Sequence, residues 1–195
     1  MNLPETLRGM GVVGAGGAGF PTEVKASSRA EYVLANGAEC EPLLHKDLEI
    51  MSHYPAEICA GMEIMMRSVG ATHGKFGIKE KNKLAVAAIE PEARKRSIDL
   101  VQLGDFYPSG DEYELVYSAT GRLIPPAGIP LNVGCVVSNV ETLYNVERAS
   151  RGLPVTSRPI RIRRPRDRNR QVAPDRSSAS GPRVRWPRRP ACFFP

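Results

Sequence analysis

The sequence predicts an α/β fold with a largely parallel sheet, and three observations carry that expectation. Short apolar runs bounded by turn residues alternate with segments of helical period, the order in which βα units are laid down. A glycine-dense stretch, Gly11 to Gly19, lies just ahead of a helix start, where free backbone N–H groups and the helix dipole receive anions. Polar segments follow directly after the apolar runs, at the strand ends where open α/β sheets hold ligands.

Taken in order, Val12-Val13 leads into the glycine loop, and Phe20-Pro21 leads out of it into a helix over 21–27. Tyr32-Val33-Leu34 reads as a buried strand ending at the turn pair Asn36-Gly37, followed by a loop with Glu39, Cys40, Glu41 and Pro42. From Pro55 to Gly70 the apolar residues Ile58, Met62, Met65, Met66 and Val69 form one stripe of a helix that opens at a proline and closes at a glycine. Lys75 to Lys79 reads as a strand, Lys83 to Ile89 as a helix stopped by Pro91, and Ile98 to Leu103 as a strand. Asp111 to Thr120 reads as a helix, Gly134 to Val137 as a strand, and Asn139 to Ser150 as a helix with Val140, Leu143, Tyr144 and Val146 near one face. Long-period repeats are not apparent.

The chain divides into a domain over residues 1–157 and an Arg/Pro-rich tail over 158–195. The overall charge of +6 is the sum of −4 on the first part and +10 on the second, which holds 12 Arg and no Lys. A nucleic-acid function argued from overall charge would thus be assigned to the wrong segment. The tail shows no helical or strand period and its aromatics are few, namely Trp186, Phe193 and Phe194. It is expected to be disordered, and its abrupt preference for Arg reads as an out-of-frame stretch beginning near 157–160. Nucleic-acid binding through these arginines is the weaker alternative.

Cys40, Cys59, Cys135 and Cys192 are scattered, and His45, His53 and His73 lack ligand spacing, so no metal site is expected. No apolar run reaches 18 residues and the N-terminus has no secretory layout. The expectation is a cytoplasmic protein without a membrane span.

Four segments carry candidate chemistry. Gly14-Ala15-Gly16-Gly17-Ala18-Gly19, with Lys25 beyond it, suits a phosphate or nucleotide cofactor. It also satisfies G-x-G-x-x-G, with Glu39 about 20 residues on as a ribose-binding acid, so an ordinary NAD(P) enzyme and a ligand-free turn are alternatives. Asn36 to Pro42 gathers an amide and two carboxylates after a strand, either a ligand edge or a solvated acidic loop. Tyr107 to Glu112 places two acids at a helix start, where Asp111 serves equally well as a cap, and Ser138 to Thr142 places Asn139 where an N-cap would sit.

In order and spacing, Gly11 to Lys25, Asn36 to Asp47, Tyr107 to Glu112, Thr120 to Pro130 and Ser138 to Val146 resemble one family. It is the flavin-binding domain shared by the 51-kDa subunit of respiratory NADH dehydrogenase, the Rnf-C protein of Rnf-type electron-transport complexes and the cobalamin reductase of propanediol-utilisation microcompartments. The resemblance covers residues 7 to 157. Ala38 stands where the respiratory protein has Asp, and no arginine separates the first two glycines, which places the chain nearer the Rnf-C and cobalamin-reductase branch.

The resemblance implies a modified Rossmann-like domain holding FMN without a covalent bond, with NADH stacked on the flavin and no side chain acting as acid or base. It assigns Gly14, Gly16, Gly17 and Lys25 to the FMN phosphate and ribityl chain, and Asn36 to the ring or ribityl hydroxyls. Gly110, Asp111 and Glu112 would border the flavin, and Ser138, Asn139 and Thr142 would close the phosphate end. Phe20 would stack on the dinucleotide and Glu41 would contact it. Family members continue into a β-grasp segment and 4Fe–4S clusters whose ligands this chain lacks, so a truncated module is expected. Its partners would be electron-transfer proteins, either other members of a membrane complex, a ferredoxin or a cobalamin enzyme in a microcompartment.

Overall fold

The computed structural model describes residues 2–41 and 44–157. The expectations placed on Pro42 and on the tail over 158–195 lie outside the described residues.

Among the described residues four parallel strands form the sheet: β1 (Tyr32–Gly37), β2 (His73–Lys79), β3 (Ile98–Leu103) and β4 (Cys135–Asn139), in the order β3-β2-β1-β4. Seven α-helices accompany them among the described residues: α1 (Leu3–Gly9), α2 (Thr22–Ala26), α3 (Lys46–His53), α4 (Pro55–Val69), α5 (Lys83–Arg94), α6 (Glu112–Thr120) and α7 (Val140–Ser150). The chain steps from β1 to β2 to β3 in one direction, then returns through α6 to lay β4 on the far side of β1. The order therefore reverses between β1 and β4, and the carboxyl ends of these two strands, Asn36-Gly37 and Ser138-Asn139, face each other across that point. In open parallel sheets this reversal opens the crevice that takes a ligand.

Alternation along the strands sorts the core onto two faces. Val33, Ala35, Phe76, Ile78 and Val136 join Ile58, Met62, Met65, Leu143 and Val146 in the larger cluster. Leu34, Leu103, Cys135 and Val137 pack with Leu115, Val116 and Ala119 of α6 on the other face. Two close approaches set these layers. Gly77 lies under Leu115, where an added Cβ would overlap the leucine side chain, and Gly61 of α4 lies against the Leu143 carbonyl of α7.

The α4 stripe behaves as its spacing predicts: Ile58, Met62 and Met65 are fully buried and Gly70 closes the helix at φ 70°. Pro91 does not stop α5, contrary to the expectation. It costs the amide that would donate to Ala87, yet its ring lies on the exposed side, while Ala85, Ile89 and Ala93 continue a buried stripe through Arg94. Helices α1 and α3 carry no signal in the sequence. Each is shorter than the window in which helical period shows, and burial of Leu7, Ile50 and Met51 holds them.

Candidate functional site

The glycine loop is a closed turn. Val13 pairs with Pro21 in an antiparallel bridge, and Gly14 N donates to Phe20 O at 2.8 Å. Helix α1 precedes the loop where the ordinary dinucleotide fold would have a strand, so the G-x-G-x-x-G match lacks its structural context. Gly17 and Gly19 adopt φ 115° and 62°, which side-chain-bearing residues rarely adopt. The loop lies over the start of α7: Ala15 N donates to Thr142 Oγ1 at 2.9 Å, and a Cβ at Gly16 would stand 3.4 Å from Asn139 Cβ.

Lys25 reaches back from α2 to the end of β4, where Nζ donates to Val137 O at 2.6 Å. Its amine lies 5.3 Å from the centre of the Phe20 ring. Burial holds its pKa below the ordinary lysine value, and the Glu112 carboxylate works against that shift. Next to Val137, Ser138 is 3% exposed and its Oγ has no hydrogen-bond partner among the described residues. A buried hydroxyl of this kind is costly unless something satisfies it.

At the end of β1, Asn36 ties two segments together. Its Nδ2 donates to Gly110 O at 2.8 Å and its Oδ1 accepts from Ala38 N at 3.1 Å. Gly110 N donates to Cys40 Sγ at 2.8 Å, which locks the 107–112 turn onto the loop after β1. Asp111 caps α6, accepting from Tyr113 N at 2.9 Å while exposed to solvent, and Glu112 begins the helix half-buried.

Asn139 caps α7 in the same way, accepting from Glu141 N at 3.0 Å, and its Nδ2 donates to Asp47 Oδ2 at 2.7 Å. Asp47 belongs to a charged cluster that the motifs do not reveal. Lys46 Nζ stands 2.6 Å from Asp47 Oδ1 and 3.2 Å from Glu141 Oε2. Burial alone would lower the Lys46 pKa, but these two carboxylates raise it above the ordinary value. Asp47 N donates to Glu39 Oε2 at 3.3 Å. Burial, joined by repulsion from Asp47, pushes the Glu39 carboxyl up to about 7, against the pull of Lys46. The adjacent Lys46-Asp47 pair was the available signal, but nothing in the sequence marked the start of α3.

The structure thus joins Gly14, Gly16, Phe20, Lys25, Asn36, Gly110, Glu112, Asn139 and Thr142 through direct contacts or electrostatic coupling around the β1/β4 reversal, and Ser138 lies in the chain between the Lys25-bonded Val137 and Asn139. Gly17 contributes the backbone bend of the same loop. Asp111 is a cap, and Asn36 and Asn139 spend polar atoms on holding the site's walls. Glu41 is exposed on the loop after β1, its carbonyl accepting from Leu44 N at 3.2 Å.

Residues 7–148 match the family described as the Nuo51 FMN-binding domain. The chain belongs to this family. It is 43% identical over 161 residues to the cobalamin reductase PduS of Salmonella typhimurium, covering 82% of this chain and 36% of the relative. It is 34% identical over 157 residues to the C component of the proton-translocating ferredoxin:NAD(+) oxidoreductase complex of Clostridium ljungdahlii, covering 78% of this chain and 34% of that one. Among solved structures, an NAD+-reducing NiFe hydrogenase in the H2-reduced state superposes with a TM-score of 0.63 at 26% identity, covering 75% of this chain and 30% of the other. The chain therefore spans about a third of the length of these relatives.

The family's group fits the residues present. The glycine loop offers backbone to an anion without Cβ atoms in the way, a largely buried lysine stands beside it, and the orphaned Ser138 hydroxyl lies at the adjoining strand end.

Glu39 yields a test of the site without ligand. Its folded pKa lies above the ordinary 4.5, so between that value and about 7 the folded chain holds a proton that the unfolded chain has released. Stability therefore falls as pH rises through this window. Glu39→Gln removes that slope, and above neutral pH it is expected to be more stable by about 1 kcal/mol after allowance for solvent screening. Urea midpoints at acid and mildly alkaline pH check it, and an unchanged pH slope in the variant would refute the assignment.

Proposed function

We propose that residues 2–157 form the flavin-holding, NADH-accepting module of an electron-transfer oxidoreductase. The observation that supports this most is the convergence of the glycine loop, Lys25, Glu112 and the Ser138 to Thr142 corner on the crevice between β1 and β4. Bound FMN would accept hydride from NADH and release electrons one at a time. The chain's own residues bind and orient. Lys25 offers a point charge to a phosphate, and the amides of Gly16 and Gly17 add donors. Ser138 Oγ gains the partner it lacks.

Gly110 and Glu112 border the isoalloxazine on the α6 side, Phe20 supplies a stacking face for the dinucleotide, and Glu41 faces it from the loop after β1. The electrons would pass on to an electron-transfer partner protein. Among the described residues no group of three or more metal-ligating side chains gathers. No helix among them is long and apolar enough to cross a membrane. We place the module in the cytoplasm, peripheral to a membrane complex or within a microcompartment.

The rival NAD(P) reading needs Glu39 as an ionised ribose acceptor. Its carboxyl instead lies half-buried against Asp47, with its pKa pushed to about 7, which disfavours that role. The test is direct: purified chain mixed with FMN should retain a yellow, protein-bound flavin whose visible absorbance bleaches anaerobically on adding NADH. Folded protein that retains no flavin would refute the proposal.

A further inference from the structure

Two neighbours make opposite demands on the Asn139 carboxamide, and both are met. Its Oδ1 accepts from Glu141 N at 3.0 Å at the start of α7, so that end must be an acceptor. Its Nδ2 donates to Asp47 Oδ2 at 2.7 Å, and a carboxylate only accepts, so this end must be a donor. A carboxylate at position 47 therefore allows the Asn139 amide one orientation. A carboxamide there would allow two, since it presents a donor as readily as an acceptor. The bond spans 92 residues of chain and joins the first turn of α3 to the cap of α7.

The surroundings of Asp47 keep that acceptor in place. The residue is 3% exposed, and Lys46 Nζ, held also by Glu141 Oε2 at 3.2 Å, stands 2.6 Å from its Oδ1. Its own amide donates to Glu39 Oε2 at 3.3 Å, which ties down the backbone that carries it. With Oδ1 taken by the ammonium, Oδ2 is left to Asn139. A buried carboxylate with a cation on one oxygen and a donor on the other is a stiff anchor, since releasing either contact strands a polar atom away from water. What it anchors adjoins the glycine loop: an added Cβ at Gly16 would stand 3.4 Å from Asn139 Cβ, and three residues further on Thr142 Oγ1 accepts from Ala15 N at 2.9 Å.

We propose that Asp47 is a positioning residue, which sets the polarity of the Asn139 carboxamide and so holds the start of α7 against the glycine loop. It acts through Asn139 and not by contact with a ligand. The consequence for FMN binding rests on the flavin reading; the hold on Asn139 does not.

Amide hydrogen exchange in the full chain without flavin reads the hold directly. Asp47→Asn keeps the shape and removes the acceptor-only character. The Glu141 and Ala15 amides are then expected to exchange about tenfold faster, the equivalent of one hydrogen bond, while the β1 and β2 amides exchange as in the parent. In the pair Asp47→Asn with Asn139→Asp, donor and acceptor trade places, the total charge is kept and the new carboxylate still caps α7. Exchange at Glu141 is expected to return to within about twofold of the parent, because a carboxylate again faces an amide donor. Parental exchange at Glu141 in Asp47→Asn would overturn the proposal. So would a reciprocal pair that exchanges no slower than the single variant, or faster exchange spread evenly through the sheet, which would make Asp47 a general support of the fold. With FMN added, affinity is expected to fall about tenfold in Asp47→Asn, and parental affinity there would overturn the consequence for the ligand. A parent chain that retains no flavin would refute the flavin reading and leave the exchange result standing.

Discussion

Gly110→Ala is expected to cost about 3 kcal/mol of stability and to weaken FMN binding more than tenfold. The new Cβ would overlap the Ala38 carbonyl oxygen and stand 2.8 Å from Cys40 Sγ. Neither neighbour is the free end of a flexible side chain. The carbonyl belongs to the loop after β1, and the sulfur accepts the Gly110 amide. Relief requires the 107–112 turn to lift away, which breaks the Asn36 Nδ2 bond to Gly110 O and moves Glu112 out of the crevice. Urea denaturation and flavin-fluorescence titration read the two effects together. Near-parental stability and affinity in this variant would show that the turn does not bear on the β1 loop as described.

Lys25→Met has a different expected signature. The charged contact to the phosphate is lost, which weakens FMN binding by roughly 10- to 100-fold, the equivalent of about 1.5–3 kcal/mol for a hydrogen bond to a charged group. Stability of the flavin-free chain changes by no more than about 1 kcal/mol, because the bond to Val137 O is lost while a buried charge is removed. The pH dependence separates the two roles. Burial holds the folded pKa of Lys25 below its ordinary 10.5, so between the two values the unfolded chain binds more protons. Stability of the flavin-free parent therefore rises with pH through that window. FMN affinity falls over the same window as the cation is lost. Lys25→Met should abolish both trends, and an alkaline loss of affinity that persists in the variant would remove Lys25 from the phosphate site.

Much of the fold was legible because periodicity is a local property. The α4 stripe, the β1 run ending at Asn36-Gly37 and the capped start of α7 at Asn139 needed only neighbouring residues to be recognised. Pro91 misled for the same reason: a local rule stops a helix there, whereas the burial that carries α5 onward to Arg94 comes from residues distant in the chain. In the site, the glycines, Lys25 and the Ser138 to Thr142 corner were recognisable as motifs. The ties that Asn36 and Asn139 make were not, since their partners include Gly110 and Asp47, which lie 74 and 92 residues away.

By itself the sequence determined the α/β class, the charge asymmetry between residues 1–157 and 158–195 and the family, since composition, period and ordered motifs can be read along one dimension. The tertiary structure alone decided that the strand order reverses between β1 and β4, bringing residues 15 and 142 within one hydrogen-bonded corner. It also decided that Lys46, Asp47, Glu39 and Glu141 share one largely buried charge cluster. Both depend on which chain segments are packed together and on how much water that packing removes, and the shift at Glu39 comes from that loss of water together with the Asp47 charge brought beside it.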